Sequence, residues 1–173
     1  MADFIEILKY TLPAIVVFLT AYLLIKKFLD NDRKLRKIEL MYNNEQYILP
    51  IRMQAYERLV LFLERISPES LIMRINRQGM TSQQLHSELL SAVRSEFEHN
   101  LSQQIYVSRE SWEIIKNARS NLIKIINEAA KSIEPESPSL KLSQTILETI
   151  IDQESSPTNV AIDFIKREIT ELF

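Results

Sequence analysis

Few residues of this chain could do chemistry, and their spacing rules out most of the reactions such residues serve. His86 and His99 are the two histidines. Thirteen positions apart on one predicted helix, they lie about 20 Å apart along its axis, too far to share a metal ion, and neither belongs to an HExxH pair. Glu96 and His99 do share a helical face at a spacing of three. A di-iron bundle, however, uses that Glu-x-x-His pair twice with two further glutamates, and it occurs here once, so a hydrogen-bonded or exposed pair is expected. The chain has no Cys, which removes thiol nucleophiles and Cys-ligated zinc or iron–sulfur centres. Its single Gly, Gly79, cannot build a phosphate-cradling loop or a Gly-flanked serine elbow. Ser67, Ser108 and Ser156 stand just before predicted helix starts, where a hydroxyl caps, and none has a base beside it. Asn100, Gln103 and Gln104 are expected to hydrogen-bond at a helix end rather than line a pocket. No catalytic, cofactor-binding or metal-ligating residue is therefore expected, no cofactor and no small-molecule substrate is evident, and the chain reads as not an enzyme.

With chemistry set aside, the organisation of the 173 residues carries the reading. They are 46% hydrophobic and 25% charged with a net charge of −2, enough apolar content for a core, and poverty in Gly with abundant Leu, Ile, Glu, Lys and Arg favours helix. Tyr10 to Ile25 is uncharged. At about 1.5 Å per residue this run falls short of a hydrocarbon core of about 30 Å. Ile7, Leu8, Phe28 and Leu29 extend it, and Lys9, Lys26 and Lys27 have stems long enough to snorkel. Pro13 falls in the first turns of such a helix, where its missing N–H costs little. The run is followed by Lys26, Lys27, Arg33, Lys34, Arg36 and Lys37 against Asp30 and Asp32. By the positive-inside rule, residues after the span face the cytoplasm and the N-terminus lies outside. The same six basic residues suit anionic lipid headgroups, whereas the remainder is acidic on balance, so nucleic acid is not an expected partner.

Beyond this flank Leu35, Ile38 and Tyr42 continue a helical spacing, and Asn43-Asn44 with Leu49-Pro50 predict a break. Ile51 to Ile66 is helical with an apolar arc of about 200°, wide enough for more than one packing neighbour. Arg52 falls inside that arc and is expected to reach solvent or a carboxylate. Ser67 as N-cap and Pro68 at the first position predict a short helix to Gln78, stopped by Gly79. Thr81 and Gln84 form a capping box for a helix with Leu85, Leu89, Val93, Phe97, Leu101 and Ile105 every fourth residue. After Ser108, a helix carrying Trp112, Ile115, Ala118, Leu122, Ile125 and Ala129 runs to Ile133. Two such helices joined by a tight turn should lie antiparallel, with 51 to 66 as the central element against them. Glu134 to Ser139 reads as a linker that decouples the last part of the chain. Two shorter amphipathic helices come after it, one with Leu142, Ile146, Leu147, Ile150 and Ile151, the other with Val160, Ala161, Phe164, Ile165, Ile169 and Leu172. They are expected to fold back on the bundle or to dock on a partner.

Two stretches are distinctive. Leu49-Pro50-Ile51-Arg52-Met53-Gln54-Ala55-Tyr56-Glu57-Arg58-Leu59, continuing to Leu63-Glu64-Arg65-Ile66 and Pro68, is one. Glu96-Phe97-Glu98-His99-Asn100, then Ser102 to Ser108 and Trp112, is the other. Together they resemble a family of uncharacterised bacterial proteins with one N-terminal membrane helix. The resemblance covers the middle of the chain and implies no activity, cofactor or ligand residues.

The expected fold is all-α, one N-terminal transmembrane helix followed by a cytoplasmic antiparallel helical bundle. Its divisions are an anchor at 1–29, a basic juxtamembrane stalk at 30–49, a bundle core at 50–134, and a linker with a C-terminal helical pair at 135–173. Tyr56, Leu59, Phe62, Leu63, Phe164 and Ile165 are expected at the core or at a partner's surface. The expected function is that of a single-pass inner-membrane scaffold or accessory subunit that presents a cytoplasmic bundle for protein–protein interaction. Its partners would be membrane lipid and either an unidentified protein or a second copy. A lipid-surface or membrane-remodelling module acting through the stalk and amphipathic helices is the alternative.

Overall fold

A computed structural model describes the backbone of residues 2–153 and 155–172 and the side chains of 15–37, 39, 46–153 and 155–171. The expectations attached to Ile7, Leu8, Lys9, Tyr10 and Pro13, to the side chains of Ile38 and Tyr42, and to that of Leu172 lie outside the described residues. Six α-helices occur in order: α1 (Ala2–Arg65), α2 (Pro68–Ile75), α3 (Ser82–Asn100), α4 (Arg109–Lys131), α5 (Ser139–Ile151) and α6 (Pro157–Leu172), with a 3-10 turn at Leu101–Ile105. The described residues are thus all-helical; they contain one isolated antiparallel bridge, Thr81 to Pro138. Two compact units divide the chain, Met1–Leu49 and Pro50–Phe173.

The break expected at Asn43-Asn44 and Leu49-Pro50 does not occur, because α1 continues through both. Asn costs a helix a fraction of a kcal/mol, and Pro50 removes one backbone bond at about 3 kcal/mol. The burial of Tyr56, Leu59, Phe62 and Leu63 further along the same helix offsets that cost. Among the described residues, no helix is long and apolar enough to cross a membrane.

In the second unit, the residues of α1 that become buried are Ala55, Tyr56, Leu59, Phe62 and Leu63, followed by Ile66 just past its end. At 100° per residue these fill roughly 120°, and half-buried Val60, packed against the core, extends the face to about 160°, narrower than the arc expected. Ile51, Met53 and Leu61 are exposed, so the segment packs on the bundle through one side. Arg52 meets neither solvent alone nor a carboxylate: its Nε donates to the Tyr106 carbonyl at 3.1 Å.

Helix α2 ends at Ile75, three residues before the expected stop. The cause is tertiary. Asn76 is extended and tied to α5, donating to Ser143 Oγ at 3.2 Å and accepting from Ser139 Oγ at 2.7 Å. Ser67 does not cap with its side chain; its Oγ donates to the Glu64 carbonyl at 2.8 Å. Gly79, with φ +85, sits at the third position of the turn closed by Met80 N–H donating to Arg77 O, a place that favours glycine. The Thr81/Gln84 capping box forms as expected, with bonds of 3.3 and 3.1 Å. The four-residue stripe of α3 is buried only to Phe97: Asn100 donates to the Glu96 carbonyl at 2.8 Å, the chain tightens to the 3-10 turn, and Leu101 and Ile105 are left exposed.

Helices α3 and α4 are antiparallel, since His86 near the start of α3 meets Asn127 near the end of α4 while Phe97 stacks on Trp112 at 5.5 Å. The segment between α4 and α5 is not helical, but it does not decouple the C-terminal helices. The first turn of a helix leaves N–H groups without partners, and at α3 the linker supplies them: Ser82 N–H donates to Ser137 O at 2.8 Å and Gln83 N–H to Pro135 O at 3.0 Å. Ser139 N–H returns a bond to Met80 O at 3.0 Å. Leu142 and Ile146 of α5 and Ala161, Ile162 and Ile165 of α6 then enter the same core as Tyr56, Leu85 and Leu122. The C-terminal pair is part of the bundle. Leu147 and Ile150 pack at its margin, while Ile151 and Val160 of the expected stripes face outward.

Candidate functional site

The most organised polar group in the bundle surrounds Glu168. Helix α6 places this carboxylate within about 20° of Ala161 on its apolar face, seven residues on. There it meets fully buried Tyr56 and Ser111 and half-buried Ser108. Tyr56 OH donates to one carboxylate oxygen; Ser111 Oγ donates to the other, which also accepts from Ser108 Oγ at 2.9 Å. Ser108 in turn caps α4 as expected, accepting from Ser111 N–H at 3.0 Å. One carboxylate therefore joins α1, the start of α4 and α6.

Burial alone would push the Glu168 carboxyl up, but the hydroxyls of Ser111, Tyr56 and Ser108 outweigh it and hold it below the usual carboxylate range. Burial, reinforced by the neighbouring Glu168 carboxylate, pushes the Tyr56 phenol up. At neutral pH the group is an anion held by three neutral donors. A carboxylate with a depressed pKa is a weak base, and Ser111 has no exposed surface through which a substrate could reach it. What this arrangement does is fasten helices.

A second carboxylate, Glu96, accepts from Arg65 at 2.6 Å and Arg74 at 2.8 Å and ties α3 to the end of α1 and to α2. Burial would raise its pKa; the two guanidinium groups bring it below the ordinary value. Glu96 thus pairs with arginines and not with His99, which is exposed. His86 Nε2 lies 2.8 Å from Asn127 Oδ1, beside an open groove of about 470 Å³ formed by Ser82, Gln83, Ala130, Lys131, Ile133 and Pro135 with that pair. Gln103 reaches no farther than Ser102 Oγ at 3.3 Å. Among the described residues, Arg119 Nε is the one buried side-chain nitrogen or oxygen without a hydrogen-bond partner; its guanidinium lies 4.2 Å from the Phe97 ring centroid.

Of the residues expected at the core or a partner's surface, Tyr56, Leu59, Phe62, Leu63 and Ile165 are buried and brought together in one cluster, whereas Phe164 is half-buried outside that cluster with Arg167 over its ring. The six basic residues Lys26, Lys27, Arg33, Lys34, Arg36 and Lys37 are all exposed on α1, and Arg36 pairs with Asp32 at 2.9 Å one turn back. Sequence reasoning missed Glu168, Ser111, Arg65 and Arg74. A signal existed for two of them: Glu168 interrupts the apolar stripe of α6, and Ser111 stands four residues before Ile115 on the stripe of α4.

A model of a family of unknown function, DUF7935, matches residues 2–172. The chain belongs to that family. The match to DUF7935 covers the residues of α1 to α6. No curated protein and no solved structure matches the chain. Membership in DUF7935 agrees with the resemblance to an uncharacterised family and brings no assigned activity.

Proposed function

We propose that the protein is a membrane-anchored helical scaffold or accessory subunit, non-catalytic, with α1 as its anchor and the bundle of residues 50–173 presented in the cytoplasm to a protein partner. One observation supports this most. From Ile15 to Ile25 no residue is charged, and Ile15, Val16, Val17, Phe18, Leu19, Tyr22, Leu23, Leu24 and Ile25 are all at least half exposed, on every side of the helix. In water such a surface is a severe liability; in a bilayer it is the required one. The proposed span also takes in residues 10–14, and Lys26 and Lys27 close it on the side proposed to face the cytoplasm of a bacterial inner-membrane protein. The inward use of Glu168, Glu96 and the serines, which fasten helices, supports a presenting role for the bundle.

The experiment is purification of the intact protein from detergent-solubilised membranes followed by mass spectrometry. A stoichiometric protein partner supports the scaffold. A second reading, a lipid-surface module, is favoured by the exposed run of Lys26, Lys27, Arg33, Lys34 and Lys37. Recovery with anionic lipid alone, lost when these residues become Gln, would replace the scaffold by that reading.

A further inference from the structure

We propose that residues 28–49 of α1 pair, parallel and in register, with the same segment of a second copy of this chain. The segment belongs to the unit Met1–Leu49, whose described residues are the N-terminal part of helix α1. Four of its ten apolar residues recur at an interval of seven, Phe28, Leu35, Tyr42 and Leu49, while Leu29, Leu40, Met41, Tyr47 and Ile48 fall off that stripe. Phe28, Leu35 and Leu49 are exposed at 73%, 56% and 39%. A seven-residue period keeps one stripe facing one helical neighbour when two helices wind left-handedly, so these four occupy position a of a coiled coil.

The charges beside the stripe identify the neighbour. With Phe28 at a, Lys27 and Lys34 fall at g, and Asp32 and Glu39 fall at e. In a parallel, in-register pair, each g residue faces the e residue five positions on in the other copy. Lys27 then meets Asp32 of the second copy, where it shares that carboxylate with the same copy's Arg36, and Lys34 meets Glu39 of the second copy, so each contact is attractive in both directions. Antiparallel pairing sets g against g and e against e, which brings Lys near Lys and acid near acid. Lys27, Lys34 and Glu39 are exposed, and these two pairs favour the parallel direction; the third pair, Met41 with Gln46, is uncharged, and Glu45 at d meets Glu45 of the second copy.

Position d is weaker: Asn31, Ile38 and Glu45 contribute one apolar residue of three. Association in dilute solution is accordingly weak, and confinement of two like-oriented copies to one membrane raises their effective concentration. To that extent the inference rests on the proposed anchor, while the register rests on the heptad alone.

Because the chain has no Cys, single-cysteine oxidation of the full-length protein in membranes tests the pairing without background. Leu35→Cys sits on the seam at a separation suited to a disulfide, and Arg33→Cys, at position f, faces away. With copper phenanthroline as oxidant, Leu35→Cys should give a disulfide-linked species of twice the chain mass, and Arg33→Cys should stay monomeric. Adding Glu39→Lys to Leu35→Cys should weaken dimer formation about fivefold to tenfold, and further adding Lys34→Glu should restore it. Equal yields at positions 33 and 35, no rescue by the double charge exchange, or cross-linking at 35 to a protein of another mass would each overturn the proposal. Failure of the anchor reads differently: the chain then leaves the membrane in alkaline carbonate whatever its cross-linking yield.

Discussion

Replacing Glu168 by Ala removes the acceptor shared by three hydroxyls at the meeting of α1, α4 and α6. Two of the donors, Tyr56 OH and Ser111 Oγ, belong to residues with no exposed surface. A buried hydroxyl left without a partner costs about 1 to 3 kcal/mol. Ser108 is half-buried and can turn to water, so it adds little. Two stranded hydroxyls give about 2 to 6 kcal/mol, toward the lower end because Glu168 is itself half-buried and water can enter the space it leaves. Tyr56→Phe removes one donor and leaves Glu168 with the two serines, so it should cost about 0.5 to 1.5 kcal/mol. The assay is urea unfolding of the fragment 50–173, followed by helical circular dichroism, with the double variant completing a thermodynamic cycle. The two changes should be less than additive, because each removes the same bond. The reasoning is refuted if Glu168→Ala unfolds at the parent's midpoint, or if Tyr56→Phe costs more than Glu168→Ala.

In the same fragment, Leu59→Ala or Leu122→Ala, each emptying a fully buried position, should cost about 2 to 5 kcal/mol by chemical denaturation; parent-like stability would remove that side chain from the core. The folded-state pKa values of Glu168 and Glu96 are lowered, so their contribution is complete above the unfolded carboxylate range near 4.3 and is lost as pH falls through the folded values; Tyr56, raised, contributes below about 10 and loses its contribution above that. Thermal melts across pH should accordingly fall off at both ends, and Glu168→Gln should flatten the acid limb. Gly79→Ala should cost about 1 kcal/mol in denaturant from its positive φ alone, since an added Cβ meets nothing within 4 Å.

The elements written in short-range chemistry were legible in the sequence. The Thr81/Gln84 box, the Ser108 cap and the Pro157 start each depend on neighbours a few residues away. The apolar faces of α3 and α4 follow from periodicity, and Tyr56, Leu59, Phe62 and Leu63 are buried from the stripe that nominated them. What failed depended on distant partners. Pro50 signals a break to any local rule, yet residues six or more positions later bury enough surface to carry the helix through. Asn76 ends α2 early because Ser139 and Ser143, more than sixty residues away, bind it. The linker's two prolines do forbid helix, but nothing local tells that its carbonyls satisfy the first turn of α3. Glu168 was legible only as an acid inside an apolar stripe; that its partners are Tyr56 and Ser111 is a property of how three helices meet.

Alkaline carbonate extraction of the full-length chain decides whether α1 anchors the bundle to a membrane, as proposed. The exposed apolar run from Ile15 to Ile25 predicts that the protein stays in the membrane pellet through carbonate and is released only by detergent, with a fused C-terminal reporter active in the cytoplasm. Full-length chain in the carbonate supernatant would contradict the anchor.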